Sequence, residues 1–285
     1  MSQFEKEIRI AVLDMNKGHV NQGMGNILEL LNHYKSKNEN VSTIDVFDVR
    51  SKGEIPEAKN YDIFFSSGGP GDPHEEDAQW FKDFSALLDE IWLHNLYSPV
   101  KKYVFLICHS FQLAVIHWDI ATINLRKSFS FGVMPVHKTK AGKKFKNFKG
   151  LEDPFYAIDS RAYQCVEPKR GKMREMGMRI LALEKKRPYV KLERAVMAIR
   201  FSKEIFGTQF HPEANAQGFL KSMLDPTNKE AMIRNYGLKK YEETLDRIDD
   251  HDKIELTQSV IIPRFLKSAG KNLMKAKAEA LTEKT

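Results

Sequence analysis

Cys108 stands where a predicted strand is followed at once by a predicted helix. Residues 103–107 are all apolar, and a run with helical spacing begins at Phe111. Such a turn lifts the side chain above the end of a sheet and points the first N–H groups of the helix into the same space. A helix N-terminus favours the thiolate form of a cysteine, and its N–H groups stabilise an oxyanion. The position therefore suggests a nucleophile, although an isolated cysteine in an apolar run is more often a core residue.

A cysteine nucleophile needs a base and a group that orients the base. The best candidate base is His211 in "FGTQFHPEAN" (206–215), because it ends a β-type run. Glu213 follows two residues later and is close enough to hold the imidazole. On its own, the pair would also fit a histidine at a loop mouth and an ordinary helix-start acid. His109 is a poor base because adjacent side chains diverge at such a turn, but its backbone N–H is a candidate donor.

The third chemical element is the glycine-rich segment "FFSSGGPGDP" (64–73). Glycines and prolines after a strand form a loop whose backbone approaches a ligand closely. The segment lacks the Gly-Lys-Ser/Thr ending of a phosphate loop, and "QGMGNIL" has Leu28 where a dinucleotide fingerprint has its third glycine. The polar residues 74–77 are interpreted as the charged first turn of a helix rather than as a metal site. We predict no metal and no cofactor.

Short apolar strands and longer amphipathic helices alternate through the first part of the chain. Strands are predicted at 8–14, 41–49, 61–68 and 102–108, and helices at 22–36 and 77–95. This order indicates an α/β fold with a mainly parallel sheet flanked by helices. Ligands bind such sheets beyond the carboxyl ends of the strands, where the glycine loop and Cys108 both fall.

The predicted secondary structure changes after the fourth strand. Residues 131–210 are β-rich, and the chain is mostly helical and charged from about residue 215. We therefore predict a β-rich second half and a helical C-terminal extension. The domain is assigned to residues 1–220 and the extension to residues 221–285.

The composition of the chain indicates its cellular location and the classes of partner it can bind. Two cysteines do not make a disulfide framework, the start "MSQFEKEIRIAVLD" does not resemble a signal peptide, and no apolar run approaches the ~20 residues of a membrane helix. These features predict a cytoplasmic protein without a membrane partner. The net charge of +7 is concentrated in lysine-rich segments such as 137–150. We interpret them as solvated loops and do not predict nucleic-acid binding, because arginines and interleaved aromatic residues are few.

Together, the three chemical elements resemble the class I (triad) glutamine amidotransferases. They are most similar to stand-alone relatives of the GMP synthetase amidotransferase domain, over roughly residues 8–220. "SSGGPGDP" is similar to the family's oxyanion loop, and "ICHSFQ" stands where the family has a Gly-x-Cys-x-Gly-x-Gln elbow. "GTQFHPE" is close to the family's His-Pro-Glu motif and places His211 103 residues after Cys108.

The resemblance implies a reaction and a role for each matching residue. Cys108 would attack the side-chain amide of glutamine, His211 would pass a proton to the leaving ammonia, and Glu213 would orient His211. The other implied residues are Gly69 and His109, whose backbone N–H groups form the oxyanion hole, and Gly71 and Gln112, which hold the glutamine. The segment from about residue 215 is too short and too polar for an ATP-dependent domain. We therefore expect any acceptor of the ammonia to be a separate synthetase.

Two positions depart from the family's elbow. Leu106 and Ser110 stand where the family usually has glycine. A bulky Leu106 requires an opened elbow or smaller neighbours. Two alternatives therefore stay open: a γ-glutamyl amide or peptide hydrolase with the same triad, and a catalytically impaired binding or regulatory module.

Overall fold

The computed structural model describes residues 7–282 apart from 20, 188, 190, 192 and 250. The strands are β1 (Ile8–Asp14), β2 (Val41–Asp48), β3 (Ile63–Ser66), β4 (Tyr103–Ile107), β5 (Thr122–Lys138), β6 (Phe155–Val166), β7 (Arg179–Glu184), β8 (Val196–Arg200) and β9 (Ile205–Thr208). The helices are α1 (Gln22–Ser36), α2 (Val49–Lys52), α3 (Gln79–Tyr97), α4 (His109–His117), α5 (Lys140–Lys143), α6 (Arg170–Glu175), α7 (Ala216–Leu224), α8 (Pro226–Tyr236), α9 (Leu238–Asp249) and α10 (His251–Thr282). None of these helices has the length and apolar character that crossing a membrane would require.

The strands described above form one sheet in the order β2-β1-β3-β4-β9-β8-β7-β5-β6. The pairs from β2 to β9 are parallel, and those from β9 to β6 are antiparallel. The predicted α/β fold is confirmed, with its mainly parallel first half, β-rich second half and helical end. Cys108 follows β4 and His211 follows β9, so the adjacent, parallel β4 and β9 bring these two residues to the same edge of the sheet.

The central strands are buried on both faces, as their continuous apolar runs predict. In β3, Phe64 faces α3 and α4, while Phe65 faces α1 and α10. Leu106 of β4 lies on the first of these faces and Phe105 on the second. Alternate residues of one strand therefore belong to two separate cores.

The C-terminal helices pack against the sheet in two places. Helices α7, α8 and α9 share an apolar cluster with Val133 of β5 and Ile158 of β6. Phe265 of α10 contacts the rings of Phe65 and Phe105 at centroid distances of 5.6 and 5.2 Å. The division into a domain at 1–220 and an extension at 221–285 stays a prediction, and its boundary falls inside α7.

One local prediction is wrong. The polar residues 74–77 do not form the first turn of α3, which begins at Gln79. The ring of His74 bonds to Asp72 at 2.8 Å, and Glu75 pairs with Arg50 at 3.3 Å. These contacts hold the segment as turns ahead of the helix.

Candidate active site

Cys108 forms a sharp turn between β4 and α4. Its backbone has φ 49° and ψ −96°, a conformation that residues other than glycine rarely adopt. Its N–H donates to the carbonyl of Thr208 on β9 at 2.7 Å, and α4 begins at the next residue. Such strain, on the order of 1–3 kcal/mol, is found mainly at functional sites, where the surrounding structure maintains it.

Ser110 and Leu106 show how this elbow forms without the two expected glycines. The buried Ser110 hydroxyl accepts a hydrogen bond from the N–H of Ile107 at 2.9 Å and donates to the carbonyl of Ser66 at 3.0 Å. Leu106 is fully buried and lies opposite Gly207 in the register of β4 and β9. A Cβ on Gly207 would lie 3.3 Å from Cβ of Leu106, so the missing side chain leaves room beside Leu106. Gly207 is therefore the small neighbour that the bulky Leu106 requires.

His211 lies between a carboxylate and the thiol. Its Nδ1 is 2.7 Å from Oε1 of Glu213, and a Cβ on Gly68 would lie 2.9 Å from Cε1 of the same ring and 3.5 Å from Cβ of Cys108. Burial opposes the charged imidazolium. The negative charges of Glu213 and Cys108 outweigh burial and raise the pKa of His211 well above its ordinary value. The backbone of His211 is fixed by a hydrogen bond from its N–H to the carbonyl of Ile158 at 2.9 Å.

Glu213 contacts two helices, α1 through its carboxylate and α10 through its backbone carbonyl. Its carboxylate is only 2 % exposed and lies beside the first turn of α1, where a Cβ on Gly23 would come within 3.2 Å of Oε1. A helix N-terminus favours a negative charge. The side-chain amide of Gln258, on α10, donates to the backbone carbonyl of Glu213 at 3.1 Å. No sequence pattern indicates this contact, because Gln258 is 45 residues away.

The glycine-rich loop fits closely around the catalytic candidates. A Cβ on Gly69 would lie 2.2 Å from the carbonyl oxygen of Met15, and one on Gly68 would lie 2.9 Å from Cε1 of His211. Side chains are therefore excluded at both positions. The Arg50 guanidinium donates to the carbonyl of Pro70 at 2.5 Å, which ties the loop to α2. Gly71, with φ +100°, follows this anchor.

The first N–H groups of α4 point away from the body of the helix. The N–H of His109 has no acceptor within the helix because His109 is its first residue. Burial, with a further contribution from nearby Arg50, lowers the pKa of the His109 ring to about 3. A ring with so low a pKa is a poor proton acceptor near neutral pH, so His109 is not a suitable base.

Gln112 reaches the thiol only through a second glutamine. Its Nε2 donates to Oε1 of Gln209 at 3.0 Å, and Nε2 of Gln209 lies 3.6 Å from Sγ of Cys108. The sequence prediction omitted Gln209. A signal was available, because residues two apart in an extended run share a face, and His211 is two residues further on.

Cys108, His211 and Glu213 line one cavity of about 690 Å³. The predicted site residues that line it are Cys108, His211, Glu213, Gly69, His109, Gly71 and Gln112. The lining residues that the sequence prediction omitted include Asn16, Ser160, Phe129, Phe131 and Phe219. Within the described part of the chain, no group of three His, Cys, Asp or Glu side chains is arranged to hold a metal ion.

Solved structures resemble this fold. A glutamine amidotransferase from Thermotoga maritima is 18% identical, with a TM-score of 0.63 over 93% of this chain and 98% of that one. A GMP synthase-like protein from Thermoplasma acidophilum is 18% identical, with a TM-score of 0.50 over 73% and 85%. The glutaminase domain of CTPS from Trypanosoma brucei, with acivicin bound, is 17% identical, with a TM-score of 0.52 over 72% and 86%. At these identities, the likeness shows a shared fold.

Family membership rests on the sequence. Comparison with curated proteins gave no match. Residues 24–228, which make up most of the chain, match the family model for glutamine amidotransferase class-I. This match includes the elbow, the glycine-rich loop and the His-Pro-Glu segment. The protein belongs to the class I glutamine amidotransferase family.

Proposed function

We propose that the protein hydrolyses the side-chain amide of glutamine, with Cys108 as nucleophile, His211 as acid and base, and Glu213 as the group that orients His211. The observation that carries the proposal is that Cys108, His211 and Glu213 line one cavity, with Nδ1 of His211 2.7 Å from the Glu213 carboxylate. A raised pKa keeps His211 protonated and able to donate to a leaving nitrogen.

The reaction has two halves. In the first, the Cys108 thiolate, whose proton is on His211, bonds to the amide carbon, and the resulting oxyanion accepts hydrogen bonds from the N–H groups of Gly69 and His109. The C–N bond then breaks as His211 gives its proton to the nitrogen, and ammonia leaves. In the second half, His211 takes a proton from water and the water oxygen attacks the thioester. The C–S bond then breaks, which releases glutamate and restores the thiolate and the protonated His211.

The neighbouring groups take supporting roles. We assign to Gln209 the donation of a hydrogen bond to the sulfur, and to Gln112 the orientation of Gln209, because the two amides follow one another toward Sγ. Gly71 and the backbone near it would hold the amino-acid end of the substrate. Both cysteines are free thiols, which suits the predicted cytoplasmic setting.

The ammonia would pass to a separate synthetase. This part of the proposal is supported by the family, and by two neighbours of the same fold whose names refer to a synthase or a glutaminase domain. A binding screen with the purified protein as bait would identify the synthetase that accepts the ammonia.

Ammonia release and thiol labelling test the proposal together. We expect the purified protein to release ammonia from glutamine, Cys108→Ala to release none, and acivicin to label Cys108 covalently. Cys165 is the matched control thiol, because it is buried and its burial raises its pKa to about 12. If Cys108 is neither labelled nor needed for ammonia release, the impaired-module alternative replaces this proposal.

A further inference from the structure

The catalytic cavity has an aromatic wall, formed by Phe129 and Phe131 of β5 and Phe219 of α7. These three rings line the same space as Cys108 and His211. The seven predicted site residues do not include any of them, and the steps proposed above do not use them.

The rings of the aromatic wall pack against one another and against Tyr236 of α8. The ring of Phe131 lies 5.4 Å from that of Phe219 and stacks on Tyr236 of α8 at 6.1 Å. Phe129 contacts the same tyrosine at 6.1 Å. Phe129 nevertheless remains 42 % exposed, so a large apolar ring faces open space at the cavity mouth. Ligand cavities are lined mainly by apolar and aromatic side chains, and these three rings give this cavity such a lining.

The cavity is larger than its proposed substrate needs. Cavities of about 300–1,000 Å³ usually enclose drug-sized ligands, and free glutamine is far smaller than such ligands. The cavity volume of about 690 Å³ therefore leaves space beyond glutamine. Part of that space is bounded by the aromatic wall.

The chain topology puts the aromatic wall on the His211 side of the thiol. Phe131 pairs in the β5–β6 register with Ser160, whose carbonyl accepts a hydrogen bond from Cys108 Sγ at 3.8 Å. Two residues away, Ile158 bridges to His211. Helix α7, which carries Phe219, begins shortly after Glu213. A leaving nitrogen must lie near His211 to receive its proton, so any group on that nitrogen would extend along this side.

We propose that the preferred substrate is a γ-glutamyl amide whose nitrogen carries an arylalkyl group, and that the aromatic wall binds this group. The inference rests on the proposed acyl transfer at Cys108 and changes only the leaving group. The Cys108 thiolate, whose proton is on His211, bonds to the carbonyl carbon of the γ-glutamyl amide. The C–N bond breaks, and His211 protonates the nitrogen so that a primary arylalkylamine leaves. Water then gives one proton to His211 and its oxygen to the acyl carbon. The C–S bond breaks, which restores the thiolate and the protonated His211, and the proton of the new carboxyl group passes to the solvent.

Three substrates test the aromatic subsite and the proposed glutamine hydrolysis independently. γ-Glutamyl benzylamide, γ-glutamyl methylamide and glutamine would be compared by kcat/KM, with glutamate release as the common readout. We expect the benzylamide to exceed the methylamide by about tenfold or more, the range that a hydrophobic pocket provides. Equal kcat/KM values for the two amides would overturn the aromatic wall as a subsite. The proposed function would still stand if glutamine were turned over.

Substitutions in the aromatic wall test whether it causes the preference for the benzylamide. Phe131→Ala and Phe219→Ala should bring the benzylamide-to-methylamide ratio close to one. Phe129→Ala, at a more exposed position where folding is least at risk, should lower the same ratio severalfold. Leu125→Ala is the matched control, since Leu125 is exposed on the same strand and lies outside the cavity lining. An unchanged ratio in Phe129→Ala and in both other variants would contradict the inference. Failure of the wild type on all three substrates, with no acivicin labelling, would contradict the proposed function itself.

Discussion

Gln209 is the amide that approaches the reacting sulfur most directly. Replacing it with glutamate keeps the shape but removes the donor and adds a negative charge near Sγ. We expect Gln209→Glu to slow the alkylation of Cys108 by iodoacetamide at neutral pH by about tenfold, because a thiolate beside a carboxylate is disfavoured.

A graded control is available for Gln209. Gln112→Leu keeps Gln209 but removes the donor that fixes its orientation. Its alkylation rate should fall between those of wild type and Gln209→Glu. Identical rates in wild type and Gln209→Glu would show that the amide does not stabilise the thiolate.

The titration of His211 depends on the charged groups beside it. Its raised pKa depends on Glu213 and Cys108, so Glu213→Gln should lower it toward the ordinary value of about 6.5. NMR of histidine labelled at Cε1 measures the shift, and His211→Asn assigns the signal. A pKa that does not change in Glu213→Gln would contradict the predicted charge interaction.

The same raised pKa has a consequence for stability. Protonated His211 stabilises the folded state fully below the unfolded pKa, near 6.5, and this contribution is lost as the pH rises through the folded value. The difference in unfolding free energy between wild type and His211→Asn should therefore shrink at alkaline pH. Urea titrations at several pH values would measure it.

At the scale of elements, the junction of β3, β4 and α4 depends on one hydroxyl. Ser110→Ala would leave the buried N–H of Ile107 without its acceptor and should cost about 1–3 kcal/mol of unfolding free energy. The measurement is urea unfolding followed by circular dichroism.

Ser66 supplies a matched control at the same junction. Its hydroxyl is buried and has no hydrogen-bond partner among the described residues, so Ser66→Ala should change stability by less than about 0.5 kcal/mol or increase it. Equal losses in the two variants would mean that the loss reflects side-chain volume rather than the hydrogen bond.

At the scale of the whole molecule, α10 connects the site to the far end of the sheet. Gln258 near its start holds the carbonyl of Glu213, and Lys277 near its end pairs with Asp62 at 2.8 Å. We predict that Gln258→Ala lowers kcat about tenfold with a smaller change in KM, because a displaced Glu213 misdirects His211.

Ser259→Ala is the control for the Gln258 prediction. Ser259 is the exposed next residue on the same helix and bonds only within that helix. Its kinetics should match wild type. If Gln258→Ala retains the wild-type kcat and the wild-type His211 titration, α10 has no part in positioning the site.

Much of the fold was predictable because its signals are local. The bounds predicted for β1 and α1 agree with the structure, since apolar runs and helical spacing are properties of neighbouring residues. The error at residues 74–77 has the opposite origin. Glu75 pairs with Arg50, 25 residues away, and no pattern within the segment indicates that pairing.

The sequence by itself determined the α/β order, the strand–cysteine–helix turn, the His-Pro-Glu segment and the glycine-rich loop, because each is a pattern of neighbouring residues. Only the tertiary structure decided that Gln209 faces the thiol, that Gly207 makes room for Leu106, and that Gln258 holds Glu213. It also decided that rings from β5 and α7 form one wall beside Cys108. These contacts join residues far apart in the chain, and they exist only once strands and helices pack against one another.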